Sequence, residues 1–122
     1  MAHILIVDDD PMIQELIKDV LVVQNHTFDL ASKGVEALQK VKTKRFDLMI
    51  LDRSMPEMDG LQVLKALRAS PEGAGLKVLM CTAADMMADA EAAFLSGATD
   101  YIVKPLDLAK LSAKVTLLTR KS

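Results

Sequence analysis

Five short apolar runs, each followed by a segment of helical period, constrain this chain more than any other feature. The runs are Ile4–Val7, Thr27–Leu30, Leu48–Leu51, Val78–Cys81 and Tyr101–Val103. Three are almost wholly apolar, as strands buried on both faces require, whereas Thr27–Leu30 alternates and suits a sheet edge. Ile13, Leu16, Ile17, Val20 and Leu21 fall on one helix face. So do Val35, Leu38 and Val41, then Leu61, Leu64 and Leu67, then Leu108, Leu111, Val115 and Leu118. Met86 to Leu95 is alanine-rich and helix-prone, with a less regular stripe. Asp10-Pro11 reads as a helix cap followed by a first-turn proline, Asp107 as a second cap, and Gly97 as the stop of the fourth helix. The order βαβαβαβαβα predicts an α/β fold with a parallel sheet and helices on both faces.

A length of 122 residues suits one domain over 1–122, and no linker, repeat or low-complexity stretch divides it. The chain ends as its fifth helix ends, so no second domain is expected. A formal net charge of -2 offers no concentrated positive surface, so direct nucleic-acid binding is not expected. No apolar run approaches bilayer length, and the N-terminus lacks the basic start and small-residue cleavage site of a signal peptide. Cys81 is the one cysteine, which excludes an internal disulfide and fits a reducing compartment. The expectation is a cytoplasmic protein without membrane insertion.

In an open parallel sheet, ligands bind beyond the carboxyl ends of the strands. Asp8, Asp9 and Asp10 follow the first run, and Asp52, Arg53 and Ser54 the third. Thr82 and Ala83 follow the fourth, and Lys104 and Pro105 the fifth. Carboxylates from two strand ends repel in a partly buried pocket, and a divalent cation removes the conflict. Hard oxygen ligands with room for water suit magnesium. A lysine and a hydroxyl beside the metal then suit an anion, which is a phosphoryl-transfer layout.

Four segments carry a resemblance: Val7-Asp8-Asp9-Asp10-Pro11, Leu51-Asp52-Arg53-Ser54-Met55-Pro56-Glu57-Met58-Asp59-Gly60, Cys81-Thr82-Ala83 and Asp100-Tyr101-Ile102-Val103-Lys104-Pro105. In order and spacing they resemble the receiver domain of two-component response regulators, over essentially the whole chain. The resemblance implies a flavodoxin-like, doubly wound (βα)5 fold with a five-stranded parallel sheet in the order 2-1-3-4-5. It also implies roles. Asp52 matches the phosphoacceptor. Asp9 matches the acid that binds Mg2+ directly, Asp8 the acid that acts through metal-bound water, and the Ser54 carbonyl the remaining protein ligand, with Mn2+ as an alternative ion. Lys104 matches the lysine that pairs with a phosphoryl oxygen, and a cis bond is expected before Pro105. Thr82 matches the switch hydroxyl, with Ala83 beside it, and Tyr101 the aromatic that changes rotamer. The implied partners are a sensor histidine kinase or histidine phosphotransfer protein and a downstream protein target. The face of the fourth helix, fifth strand and fifth helix is the expected surface for that target or for a dimer.

Ser54 and Ala84 occupy positions that tune dephosphorylation in the family. Neither is an acid or amide able to align an attacking water, so slow unaided hydrolysis is expected. An aspartyl-nucleophile phosphatase is the competing enzyme reading, but it needs an acid two residues past the nucleophile, where this chain has Ser54. The expectation is therefore no enzyme of external substrates. A flavin or nucleotide carrier needs a phosphate loop after the first strand, where three aspartates stand instead. A scaffold without phosphorylation is the remaining alternative.

Other features read as structural. Asp10 is a cap, Met55–Gly60 a loop with Asp59 as a cap and Gly60 as a position for either a backbone conformation or close packing that a side chain would block, and Cys81 an inert thiol. His3 and His26 have no ligand spacing and read as incidental. Met86 and Met87 read equally as core or as a partner patch, and the role of Arg53 is open.

Overall fold

The computed structural model describes residues 1–83, 91–94 and 96–120. The strands are β1 (His3–Val7), β2 (Thr27–Ala31), β3 (Leu48–Asp52), β4 (Lys77–Ala83) and β5 (Asp100–Lys104). The helices are α1 (Pro11–Val23), α2 (Gly34–Thr43), α3 (Gly60–Ala69), α4 for the helical residues 91–94, and α5 (Leu108–Thr119). All strand pairs are parallel, in the order β2-β1-β3-β4-β5. This is the flavodoxin-like order, and it puts the alternating β2 at an edge as expected. Most of the Met86–Leu95 segment, including Met86 and Met87, lies outside the described residues.

Side chains alternate across a strand, so each strand feeds two cores. Leu5, Val7, Met49, Leu51, Val78 and Met80 pack under α2, α3 and Ala93 of α4. Ile4, Ile6, Leu48, Ile50, Leu79 and Cys81 pack under α1 and α5. The sheet is thereby covered on both faces, which is why its central strands are apolar throughout.

Helix boundaries follow local chemistry. Asp10 accepts from Met12 N–H ahead of Pro11, and Asp107 accepts from Lys110 N–H. Asp59 and Gln62 form a reciprocal capping box at α3. Gly97 adopts φ 107, a left-handed conformation suited to glycine. Arg68 donates to the Gly97 carbonyl through Nε (3.0 Å) and Nη2 (2.7 Å), tying the end of α3 to the turn before β5.

Five expectations are corrected. Leu16 is 37% exposed, because α1 buries Ile17, Val20 and Leu21. Val35 is 55% exposed, because Gly34, Ala37 and Val41 form the buried side of α2. Leu108 is 44% exposed, because α5 buries Leu111, Val115 and Leu118. Thr82 and Ala83 lie inside β4, since their register against Val103 and Lys104 extends the strand past the apolar run. His3 and His26 are not incidental. His3 stacks on Phe46 with centroids 5.1 Å apart and lies 2.7 Å from Thr27 Oγ1, and His26 accepts a hydrogen bond from Ala2 N–H.

Gly60 sets the site most directly. A Cβ there would overlap the Asp52 carbonyl oxygen and lie 2.8 Å from Arg53 Cα. The Gly60 N–H donates to the Arg53 carbonyl at 3.0 Å, so α3 starts in contact with the end of β3. Gly60→Ala is expected to lower unfolding free energy by about 1–3 kcal/mol in urea titrations, as overpacking against fixed backbone does. Gly75→Ala, where a Cβ meets nothing within 4 Å, is expected to change it by less than about 0.5 kcal/mol.

Candidate functional site

The carboxyl ends of β1, β3 and β5 deliver charged side chains to one place. Asp52 is the last residue of β3 and 4% exposed, and Asp8 directly follows β1 and is 1% exposed. Asp9 beside it is exposed. Oxygens of Asp8, Asp9 and Asp52 all lie within 4.8 Å of one another.

Lys104, the last residue of β5, reaches across to both buried acids. Its Nζ lies 2.9 Å from Asp52 Oδ1 and 3.3 Å from Asp8 Oδ2. The Lys104–Pro105 peptide is cis, as expected. Burial opposes the lysine charge, but the Asp52 hydrogen bond and the fields of Asp52 and Asp8 outweigh it, so its pKa lies above the ordinary value. For Asp8 the balance is reversed. Burial raises its pKa most, and the Asp52 charge adds to that. The Asp10 N–H and Lys104 oppose the rise without cancelling it.

Main-chain groups hold the acids in place. Asp10 N–H donates to Asp8 Oδ1 at 2.8 Å, and Ser54 N–H to Asp52 Oδ1 at 3.2 Å. Ser54 is itself exposed. Thr82 is 3% exposed, and its hydroxyl has no hydrogen-bond partner among the described residues. It is one residue beyond Cys81, the register partner of Asp52. Ala83 stands opposite Lys104 in register and is exposed. Burial pushes the Cys81 thiol up to about 12, which keeps it protonated and unreactive.

Tyr101 is apart from the acids, three residues and roughly 10 Å of strand before Lys104. Its half-buried ring packs edge-on against Phe94 of α4 at 5.6 Å, and Lys114 Nζ of α5 lies 6.0 Å from its centroid. The structure thus gathers Asp8, Asp9, Asp52, Thr82 and Lys104, and sets Tyr101 in the α4–β5–α5 face.

Two supporting contacts escaped the sequence reading. Gln14 of α1 donates to the Asp8 carbonyl and to Ser32 Oγ, holding the strand end that carries the acids. A glutamine six residues downstream carries no motif that would have found it. Arg53 pairs with Asp59 Oδ2 at 3.2 Å, so the α3 cap also holds the residue after Asp52; the flanking acid in the loop was visible, but not its pairing.

Three hard carboxylates within this span suit one small divalent cation. Burial raises the pKa of Asp8 most and the Asp52 charge adds to it, and a cation bound there would oppose both.

Known proteins share this fold and sequence pattern. The response regulator receiver domain family model matches residues 4–116. The Response regulator MprA of Mycobacterium ulcerans is 39% identical over 121 residues, covering 99% of this chain and 51% of that protein. Its counterpart in Mycobacterium leprae is 39% identical, covering 98% and 52%. The chain therefore spans about half the length of these relatives. The chemotaxis response regulator CheY4 of Vibrio cholerae superposes with a TM-score of 0.90 at 30% identity, covering 97% of this chain and 98% of that one. The receiver domain of the Francisella response regulator 1452 gives 0.89 at 29%, covering 98% and 97%.

A raised Asp8 pKa means that the folded chain favours the protonated acid. Its stabilising contribution is present at low pH and is lost as pH rises through 3.8 and then through the folded value. At neutral pH without divalent ions, Asp8→Asn is therefore expected to raise Tm in thermal unfolding. Added magnesium is expected to shrink that gain, because it stabilises only the charged site.

Proposed function

This chain belongs to the response regulator receiver domain family, which serves phosphorelay signalling in two-component systems, and we propose that it takes a phosphoryl group onto Asp52 and uses the added charge to switch a protein-binding face. The observation that carries this reading is Lys104 held 2.9 Å from Asp52 Oδ1 beside two further acids. A lysine there holds the Asp52 carboxylate oriented and is in place to pair with an incoming phosphoryl oxygen.

In the proposed reaction an Asp52 oxygen attacks the phosphorus of a phosphohistidine. The P–N bond breaks, and the imidazole leaves and takes up a proton. The donor is a sensor histidine kinase or a histidine phosphotransfer protein. A magnesium ion held by Asp8, Asp9, Asp52 and the Ser54 carbonyl, with manganese as the alternative, would supply positive charge to the phosphoryl oxygens. Ser54 N–H and Lys104 orient the acceptor. The buried Thr82 hydroxyl, without a partner among the described residues, turns to donate to the new oxygens, with Ala83 at the same edge. Movement there frees Tyr101 to turn. It also reshapes the α4–β5–α5 face, where the exposed Phe94 packs on Tyr101. That face receives the downstream target, or a second copy of the chain. No step consumes an external substrate, so the chain acts on its own phosphorylation state.

The test is intact mass after incubation with a small acyl-phosphate donor, with and without magnesium. One magnesium-dependent adduct is expected, absent in Asp52→Asn. Many turnovers of released phosphate would instead favour a phosphatase, and no adduct even with a kinase would favour a scaffold. Slow decay of the adduct is also expected, because Ser54 offers no acid or amide to align water. Ala84, the second position in that expectation, lies outside the described residues. Ser54→Asn or Ser54→Glu is expected to change the decay rate, and an unchanged rate would sink this account.

A further inference from the structure

At the end of the sheet opposite the acids, side-chain hydrogen bonds run from β1 through the α1–β2 turn to α5. Ala2 N–H donates to His26 Nδ1 at 2.9 Å. Nδ1 is therefore an acceptor, and the neutral ring carries its proton on Nε2. Nε2 lies 3.2 Å from Gln24 Oε1. Gln24 Nε2 donates to the Ser112 carbonyl at 2.9 Å and to its hydroxyl at 2.7 Å. A backbone carbonyl only accepts, so the Gln24 amide has one orientation and each donor points the same way.

The ring has little freedom to leave this chain. His26 N–H donates to the Leu21 carbonyl at 2.9 Å, and Thr27 N–H to the Ala2 carbonyl at 3.0 Å. Gln24 caps α1, and Asn25 between them adopts φ 63. Protonating His26 would set an Nδ1–H against the Ala2 N–H, two donors without an acceptor, in a segment fixed from both sides.

We propose that His26 is a proton-sensitive latch, whose neutral ring ties the start of β1 and the α1–β2 turn to α5 and whose protonation releases that tie. It is a second input to a helix of the proposed output face and does not require phosphorylation. The charged groups acting on the ring are the Met1 ammonium and Asp47 of the α2–β3 connection, while Gln24 and Ser112 are uncharged. Burial and the Met1 ammonium hold the His26 pKa below 6.5, outweighing Asp47. The sign follows from the depressed value. The latch's stabilisation is complete above 6.5 and is lost as pH falls through the folded pKa.

The readout must be specific to His26, because His3 lies 3.6 Å from Asp29 and gains a charged partner when protonated. We would follow imidazole nitrogen and backbone amide NMR shifts of the 122-residue chain from neutral pH to about pH 5. The expected result is an Nε2–H tautomer, a midpoint below that of an ordinary histidine, and Ala2 and Ser112 shifts that share the midpoint. Gln24→Ala is expected to abolish the Ser112 response and keep that of Ala2. Gln24→Met, which keeps the side-chain length and adds no charge but cannot donate to Ser112, is expected to do the same, and it serves if the alanine variant folds poorly. An Nδ1–H tautomer, a midpoint at or above the ordinary histidine value, or a Ser112 resonance indifferent to His26 would overturn the proposal.

Discussion

The contact on which the structure turns is the ammonium of Lys104 between Asp52 and Asp8. Two buried carboxylates without a cation would repel by several kcal/mol at about 4 Å, even at an effective dielectric near 20. One lysine cannot neutralise three acids, so the pocket retains a deficit of positive charge. Asp8 is raised in pKa by its burial first and by the Asp52 charge in addition. The pocket gathers three acids around one lysine, and in the proposed function a divalent cation would supply the further positive charge.

The winding of the sheet makes this contact available. Lys104 stands on the edge strand β5, and Asp52 on β3, two strands inward. Asp8 lies one strand further, after β1. Adjacent strands are roughly 4.8 Å apart, so the lysine must cross β4 to reach them. The end of β4 carries only Thr82 and Ala83, side chains small enough to be crossed. Gly60 completes the arrangement from below by letting α3 start against the Asp52 carbonyl. The acids, the lysine and the small residues are therefore parts of one geometric solution.

Much of this was legible because it repeats at each strand end. Apolar runs announced the strands, and polar residues at their carboxyl ends announced the pocket. Caps such as Asp10 and Asp59 were legible because they act on neighbours two or three residues away. Amphipathic period misled at Val35 and Leu108, since a helix face tolerates a large apolar residue at its margin while Gly34 or Ala37 makes the close contact. The boundary of β4 was hidden because pairing with β5, not composition, carries it through Thr82. His26 and Gln14 were invisible for a different reason. Their partners are backbone groups and residues brought near by folding, such as Ser112, 88 positions from Gln24, and no spacing rule encodes them.

In the proposed function, Thr82 is the residue that couples the pocket to a change of shape. A buried hydroxyl without a partner forfeits about 1–3 kcal/mol relative to a satisfied one. Within the described residues nothing repays that loss, and the hydroxyl sits one residue from the register partner of Asp52. Adding oxygens at Asp52 would offer it an acceptor, so the deficit becomes a driving force for inward movement. A difference of that size shifts a two-state equilibrium roughly 5- to 150-fold, enough to move a minor conformation to a major one but not to make the switch irreversible. A partner that prefers the shifted face would supply the rest, and by linkage would hold the shifted state in return. The raised pKa of Asp8 and the unpartnered Thr82 hydroxyl fall within one pocket, where a divalent cation would relieve the first and, in the proposed reaction, phosphoryl oxygens at Asp52 would relieve the second.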